Sequence, residues 1–453
     1  MEQTTRLKKN DILTGSIGKA ILGFFFPILI GTFFQQLYNT IDAVVVGNFA
    51  GTTALASVGG SSAIIINLVV GFFTGLSAGC TVKISQFYGA GDQEKLSAAL
   101  HTSYAFGIAG GLFFGLLGVL ASPSLLTAMN TPEALLAEST VYLRIYFAGV
   151  IFVFLYNMGA AILRALGDSV RPLVILIICT FVNIGLDLLF VVVLKKGVFG
   201  VAIATLISQA VSALLVSLVL MFMTTQTKLV PSRIRFNFPI LGQMLWIGLP
   251  SGIQSSSYSL SNIFIQAAIN SFGVNTVTGW TAEGKVDVLF WMINGSFGIA
   301  AATFVGQNFG AGNTERVRRG TRSCLFMALG SAVVISLTLF FFGRYPLYLF
   351  TRDEEVIEIG FHMMQVIVPG YFLFPFIEIF SASLRAQGDT LLPTIINITC
   401  VVVYRIIWLA IFGSRQDLDL VLYCYPISWF TCALLTSLYY LYRRHKGYRH
   451  SRV

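Results

Sequence analysis

The chain has 453 residues, of which 56% are hydrophobic and 11% charged, against roughly a quarter charged in an ordinary soluble domain. Aromatic residues make up 13%, and the mean hydropathy is +0.79, more apolar surface than a water-soluble core of this size can hide. The net charge of +9 is spread over the ends of apolar runs, so it indicates no nucleic-acid partner, and the composition excludes a soluble enzyme, a disulfide scaffold and a disordered tail protein.

A polar stretch through Lys19 precedes the first apolar run, and no small-residue cleavage site follows, so this run reads as a retained helix. At about 20 apolar residues per crossing, twelve segments are predicted. The first six cover residues 20–46, 54–82, 98–122, 138–163, 172–194 and 198–223. After a polar connection, six more cover 240–270, 276–305, 321–343, 356–383, 391–412 and 418–442. The prediction is an all-α membrane protein with a six-helix lobe over 1–223, a cytoplasmic linker over 224–238 and a second six-helix lobe over 239–453.

Basic residues set the expected orientation. Twenty-one lie at the termini or after even-numbered helices, among them Arg6, Lys8, Lys9, Lys83, Arg171, Arg316, Arg443, Arg449 and Arg452. Six lie on the other side (Arg144, Lys195, Lys196, Arg344, Arg352 and Arg415), while Lys285 and Arg405 fall inside helices. Both termini are therefore expected in the cytoplasm, with the chain as a multi-pass protein of a bacterial cytoplasmic membrane. The six cysteines lie in apolar runs without paired spacing, and the four histidines, His450 among them, form no ligand pattern.

Two motifs repeat. Gln86-Phe-Tyr-Gly-Ala-Gly-Asp92 recurs as Gln307-Asn-Phe-Gly-Ala-Gly-Asn313. Leu163-Arg-Ala-Leu-Gly-Asp168 recurs as Leu384-Arg-Ala-Gln-Gly-Asp389, again 221 residues later. Six helices per repeat is an even number, so the lobes should share one orientation about a pseudo-two-fold axis along the membrane normal, with a cavity between them. The motif glycines allow tight turns, and Arg164 with Asp168, or Arg385 with Asp389, are candidates to bond each other or the helix ends. No Gly-rich loop ends in Gly-Lys-Ser or Gly-Lys-Thr, so an ion gradient is the expected energy source, and no enzymatic activity is expected.

Ionisable residues inside a membrane are functional candidates. Gln35, Tyr38, Asn39 and Asp42 share one face of the first helix, Asn183 and Asp187 one face of the fifth, and Thr205 lies on the sixth at a similar depth. Two close carboxylates with an amide and a hydroxyl can share a proton or hold a monovalent cation; the alternative is a hydrogen-bond network that only fixes packing. In the C-terminal half, Glu283, Asp287, Arg405 and Glu378 form a candidate charged network. A direct ion pair between Arg405 and Glu283 or Asp287 is expected there.

With these residues in place, the sequence resembles the multidrug and toxic compound extrusion (MATE) family. That family lies within the superfamily that also holds polysaccharide and lipid-intermediate flippases. The resemblance covers nearly the whole chain and rests on the twelve helices, the two turn motifs and the Asp42, Asn183, Asp187 and Thr205 set. It implies a secondary active antiporter that exports amphipathic, cationic organic compounds in exchange for protons or sodium ions. Asp42, Asn183, Asp187 and Thr205 would bind the coupling ion (the metal ligands if it is sodium), and Gln35, Tyr38 and Asn39 would line the substrate cavity. No cofactor beyond H+ or Na+ is implied, and the implied partners are a small organic solute and the lipid bilayer, with a monomeric chain. A flippase for a lipid-linked saccharide is the alternative. The seventh helix carries Ser257 and Tyr258 where some sodium-driven exporters have an acid, so a second sodium site there is not implied.

Overall fold

In the computed structural model, residues 11–223 and 227–446 are described, apart from the side chains of residues 11 and 414. Arg6, Lys8, Lys9, Arg449, Arg452 and His450, and residues 224–226 of the expected linker, lie outside the described residues. Eleven described helices are long and apolar enough to cross a membrane. They are α1 (Ile17–Ala50), α2 (Thr52–Ala90), α3 (Gln93–Ala128), α4 (Glu133–Ala165), α5 (Val170–Val193) and α6 (Gly197–Met221). After them come α8 (Val274–Gly310), α9 (Thr314–Phe342), α10 (Glu354–Ala386), α11 (Leu391–Phe412) and α12 (Leu418–Lys446). The predicted seventh crossing is present as α7 (Phe238–Asn270), a helix of 33 residues. Its run of serines and amides from Ser251 to Asn262 lowers its hydropathy below that of the other eleven.

These helices form because in lipid every backbone N–H and C=O must be satisfied within the segment. At about 1.5 Å per residue, a helix of 33 residues spans roughly 50 Å and overruns a hydrocarbon core of about 30 Å. Large apolar side chains cover their outer faces; Leu116 and Leu120 of α3, for example, are 66% and 68% exposed. Such a surface suits lipid and would aggregate in water.

The chain divides into two compact units, Phe26–Gly252 on the one hand and Met1–Phe25 with Ile253–Val453 on the other. The boundaries therefore fall inside α1 and α7, not in the 224–238 segment. The described part of that segment is tied to α3: Val230 N–H donates to His101 Nε2 at 3.0 Å and Asn237 N–H to Thr102 Oγ1 at 3.0 Å. His101, placed without a role by its sequence context, is a clasp for the connector.

In the Phe26–Gly252 unit, α3 and α4 meet along a stripe of glycines. A Cβ on Gly111 would lie 2.6 Å from Ile151 Cα, and one on Gly118 would enter the Phe147 ring. The rings of Phe73 and Phe154 stack beside them with centroids 3.5 Å apart. Also in this unit, α2 and α7 cross at Gly75 and Gly79 against Gly248 and Gly252, two small-xxx-small pairs that let backbones touch. The core of the other unit centres on Trp429, Tyr371 and Phe290, all buried, with Phe290 and Tyr371 stacked at 4.0 Å.

Both repeated motifs fold into the same turns. Gly91 and Gly312 have φ of +71° and +73°, and Gly167 and Gly388 have +94° and +89°. In each copy the N–H of the following residue closes a six-residue loop: Asp92 to Phe87 O, Asn313 to Asn308 O, Asp168 to Leu163 O and Asp389 to Leu384 O, at 2.8–3.1 Å. This is a helix stop with a left-handed residue, which glycine adopts without steric cost.

Among the described residues Asp168 forms no ion pair with Arg164, and the two aspartates bond to different partners. Asp168 accepts from the Val170 and Arg171 N–H groups and pairs with the Arg171 side chain at 3.3 Å. Asp389 instead accepts from Tyr439 at 2.7 Å and forms an ion pair with Arg443 at 2.6 Å, both on α12. The second copy thus fastens the last helix. Asp389→Ala should lower stability by about 1–2 kcal/mol, since the pair is only partly shielded from solvent. A fall in the thermal unfolding midpoint that Asp168→Ala does not match would bear this out; equal shifts would show that the α12 contact adds nothing.

Candidate functional site

Seven of the residues singled out above sit in the Phe26–Gly252 unit, and five of them meet. Asn183 and Asp187, one turn apart on α5, are fully buried, and Thr205 on α6 is buried beside them. Asp42 of α1 interacts with both Asp187 and Asn183, and Tyr38, one turn earlier, with Asp42 and Thr205. Seven polar atoms of this group are nevertheless left without a closed hydrogen bond. The Tyr38 hydroxyl, Asp42 Oδ1, both side-chain polar atoms of Asn183, both Asp187 oxygens and Thr205 Oγ1 are shielded from solvent and lack a partner of hydrogen-bond geometry. Native interiors leave few such atoms, so this concentration marks a place shaped for something else.

The backbone near both carboxylates is unusual as well. α1 ends in a π segment, Val46–Ala50, four residues beyond Asp42, and Asp187 stands directly before another, Leu188–Val193. Their i→i+5 bonds are direct, Gly51 N–H to Val46 O at 3.2 Å and Leu194 N–H to Leu189 O at 2.9 Å. Such bulges persist only where tertiary packing holds them, and they occur frequently at functional sites. Val45, Val46, Val191, Val198 and Val201 pack into one small apolar cluster around these segments, which closes the site on that side.

Two residues not picked out from the sequence belong here. Tyr142 and Tyr146, one turn apart on α4, interact with Tyr38, and Tyr142 also with Asp42 and Asp187. Their i,i+4 spacing was a readable signal, masked by the general wealth of aromatic residues. Gln35 and Asn39, in contrast, are exposed on α1 and form no bond to the cluster among the described residues.

The C-terminal charged residues are arranged differently from the expectation. Glu283 and Asp287 on α8 and Arg405 on α11 line one cavity, but no ion pair joins them among the described residues. Arg405 donates from Nε to Ser428 Oγ at 3.0 Å and lies over the Tyr425 ring at 4.1 Å. Asp287 accepts from Trp291 Nε1 at 2.6 Å. The guanidinium is held by stacking and a hydroxyl, both from α12. Glu378 is no part of this group: its carboxylate packs on the Gly298 backbone, in the field of Arg385, Tyr258 and Cys324. Tyr258, at the position without an acid, donates to Asn397 Oδ1 at 3.0 Å and accepts from Gln254. That network is neutral and closed. No group of three or more His, Cys, Asp or Glu side chains is placed to hold a metal ion among the described residues.

Comparison with known proteins agrees with this architecture. The chain is 28% identical over 450 residues to the probable multidrug resistance protein YpnP of Bacillus subtilis (strain 168), covering 97% of this chain and 98% of that one. Among solved structures, it superposes with a TM-score of 0.89 on a MOP superfamily transporter from Pyrococcus furiosus, at 25% identity over 96% of this chain and 98% of that one. It superposes with a TM-score of 0.90 on a multidrug resistance MATE family transporter in an outward-facing conformation, at 24% identity and 97% and 98% coverage. The MatE family model matches residues 27–189 and 250–411; with two repeats, two matching turn pairs and that coverage, the chain belongs to the MatE family of membrane transporters.

Proposed function

We propose that this protein is a secondary active antiporter that exports amphipathic, mainly cationic organic compounds and takes up protons or sodium ions in return. The observation that carries the reading is the unsaturated cluster of Asp42, Asn183, Asp187, Thr205 and Tyr38. Two carboxylates facing one another in a low-dielectric interior repel, and neither can ionise cheaply beside the other. A proton shared between them, or a sodium ion held by their oxygens with those of Asn183 and Thr205, supplies the missing partners and removes the repulsion.

The ion would then change the preferred packing of α1 against α5. Both helices carry a π segment beside their carboxylate, a place where a helix can shift register at low cost. The multidrug naming of the Bacillus relative supports the class of solute. A saccharide-lipid flippase is less well supported, because the cavity of the C-terminal unit carries two carboxylates against one guanidinium, a poor match for a polyanionic lipid head.

The test is reconstitution in sealed vesicles, with a fluorescent organic cation as solute and pH and sodium gradients imposed separately. Export driven by one or both gradients, and ion flux in the opposite direction that depends on solute, are expected. Equal solute movement with both gradients collapsed would overturn the reading.

A further inference from the structure

The C-terminal unit holds a cavity of about 430 Å³, all of whose lining residues come from that unit. Its volume falls within the range of small-molecule sites. Its charge is divided. Glu283 and Asp287 stand one turn apart on α8, and Arg405 enters from α11.

The opposite charges do not neutralise one another. Arg405 is 4% exposed, its Nε is committed to Ser428, and its plane rests on Tyr425. Its Nη2 has no protein partner. On the acid side, Asp287 Oδ1 is equally without a partner, as is the hydroxyl of Ser261, which also lines the cavity. A guanidinium that is nine-tenths buried and short of an acceptor is unfavourable unless something completes it. Tyr425 lies in the fields of Arg405, Glu283 and Asp287 alike, so all three address one space. Trp280, Trp291, Trp429 and Phe374 form its aromatic walls together with tyrosines, and Trp280 is fixed by a bond from Nε1 to Gln266 at 3.1 Å.

The geometry points to a binding pocket for a small aromatic zwitterion, with its ammonium group against Glu283 and Asp287, its carboxylate on the Arg405 guanidinium and its ring among the tryptophans. Each part of the ligand answers a basic, acidic or aromatic residue of the cavity lining. A simple organic cation would leave Arg405 uncompensated, and a simple anion would leave the two acids so. The rings supply an apolar slot and cation–π faces for the ammonium end. The pocket lies in the other unit from the Asp42 cluster, and its occupancy needs no gradient.

The experiment is calorimetric titration of the purified full chain in detergent with three probes of one ring system: L-tryptophan, tryptamine and indole-3-propionate. Tryptophan should bind at least about tenfold more tightly than either singly charged analogue, the return for one charge-assisted bond. Arg405→Gln should bring tryptophan down to the level of tryptamine. Glu283→Gln combined with Asp287→Asn should bring it down to that of indole-3-propionate. Tryptamine binding as tightly as tryptophan, or no saturable heat from any probe, would overturn the assignment. The ranking on the unaltered protein decides this even where a variant fails to fold. Because the measurement is made at equilibrium, its failure leaves the coupling role of Asp42 untouched.

Discussion

Asp42→Asn is expected to reduce gradient-driven export to the leak rate of protein-free vesicles, with expression and membrane insertion unchanged. Asparagine keeps the size of aspartate but cannot take up a proton and brings no negative charge to a cation. The cluster would keep its shape and lose its switch. Removing one of two facing carboxylates also relieves their repulsion, so the thermal unfolding midpoint of the variant should stay level or rise. That pairing of lost transport with retained stability separates a coupling residue from a packing residue, whose loss lowers both. Asp187→Asn should behave alike, since Asp187 is buried with neither oxygen satisfied. Full export by Asp42→Asn at normal expression would make Asp42 a packing residue and move the search for the coupling site elsewhere.

Gly79→Val should prevent accumulation of folded protein. At Gly79 a Cβ would run into Met244 O and lie 2.7 Å from Gly248 N, and both are backbone atoms of α7 that cannot rotate away. Overpacking typically costs about 1–3 kcal/mol where side chains can yield; here the α2–α7 crossing itself must open. Gly71→Ala, two turns away on α2 with nothing within 4 Å of the added carbon, should leave stability equal or slightly higher, because alanine favours helix by about 1 kcal/mol over glycine. Size-exclusion profiles and unfolding midpoints of the two variants provide the comparison. A monodisperse Gly79→Val protein with an unshifted midpoint would mean that the crossing is loose and the glycines there are incidental.

Much of this was open to a reading of the residues in order. Membrane spans follow from local composition, because lipid demands a long apolar helix whatever its neighbours are. The repeated turns follow from local chemistry, since a glycine ending a helix in the left-handed region serves its own six residues. For the same reason, Asp42, Asn183, Asp187 and Thr205 could be matched from spacing and depth alone: a straight helix carries its side chains at known heights and on known faces.

Tertiary structure decided the rest. The unit boundaries lie at Phe25 and Gly252, within unbroken helices, because contacts and not chain breaks define a unit. The glycines of α2 and α7 each form a small-xxx-small pair in the sequence, but only the crossing makes them meet. Tyr142 and Tyr146 look like ordinary aromatic filler until the rotation of α4 turns them toward Asp42 and Tyr38. Arg405 shows the limit most plainly. Depth placed it level with Glu283 and Asp287, and all three do line one cavity, but Ser428 and Tyr425 of the last helix hold the guanidinium and no ion pair joins it to the acids among the described residues. The sequence determined which charges share a level in the membrane. Which of them touch depended on the orientation of long side chains, set by neighbours that only the folded chain brings alongside.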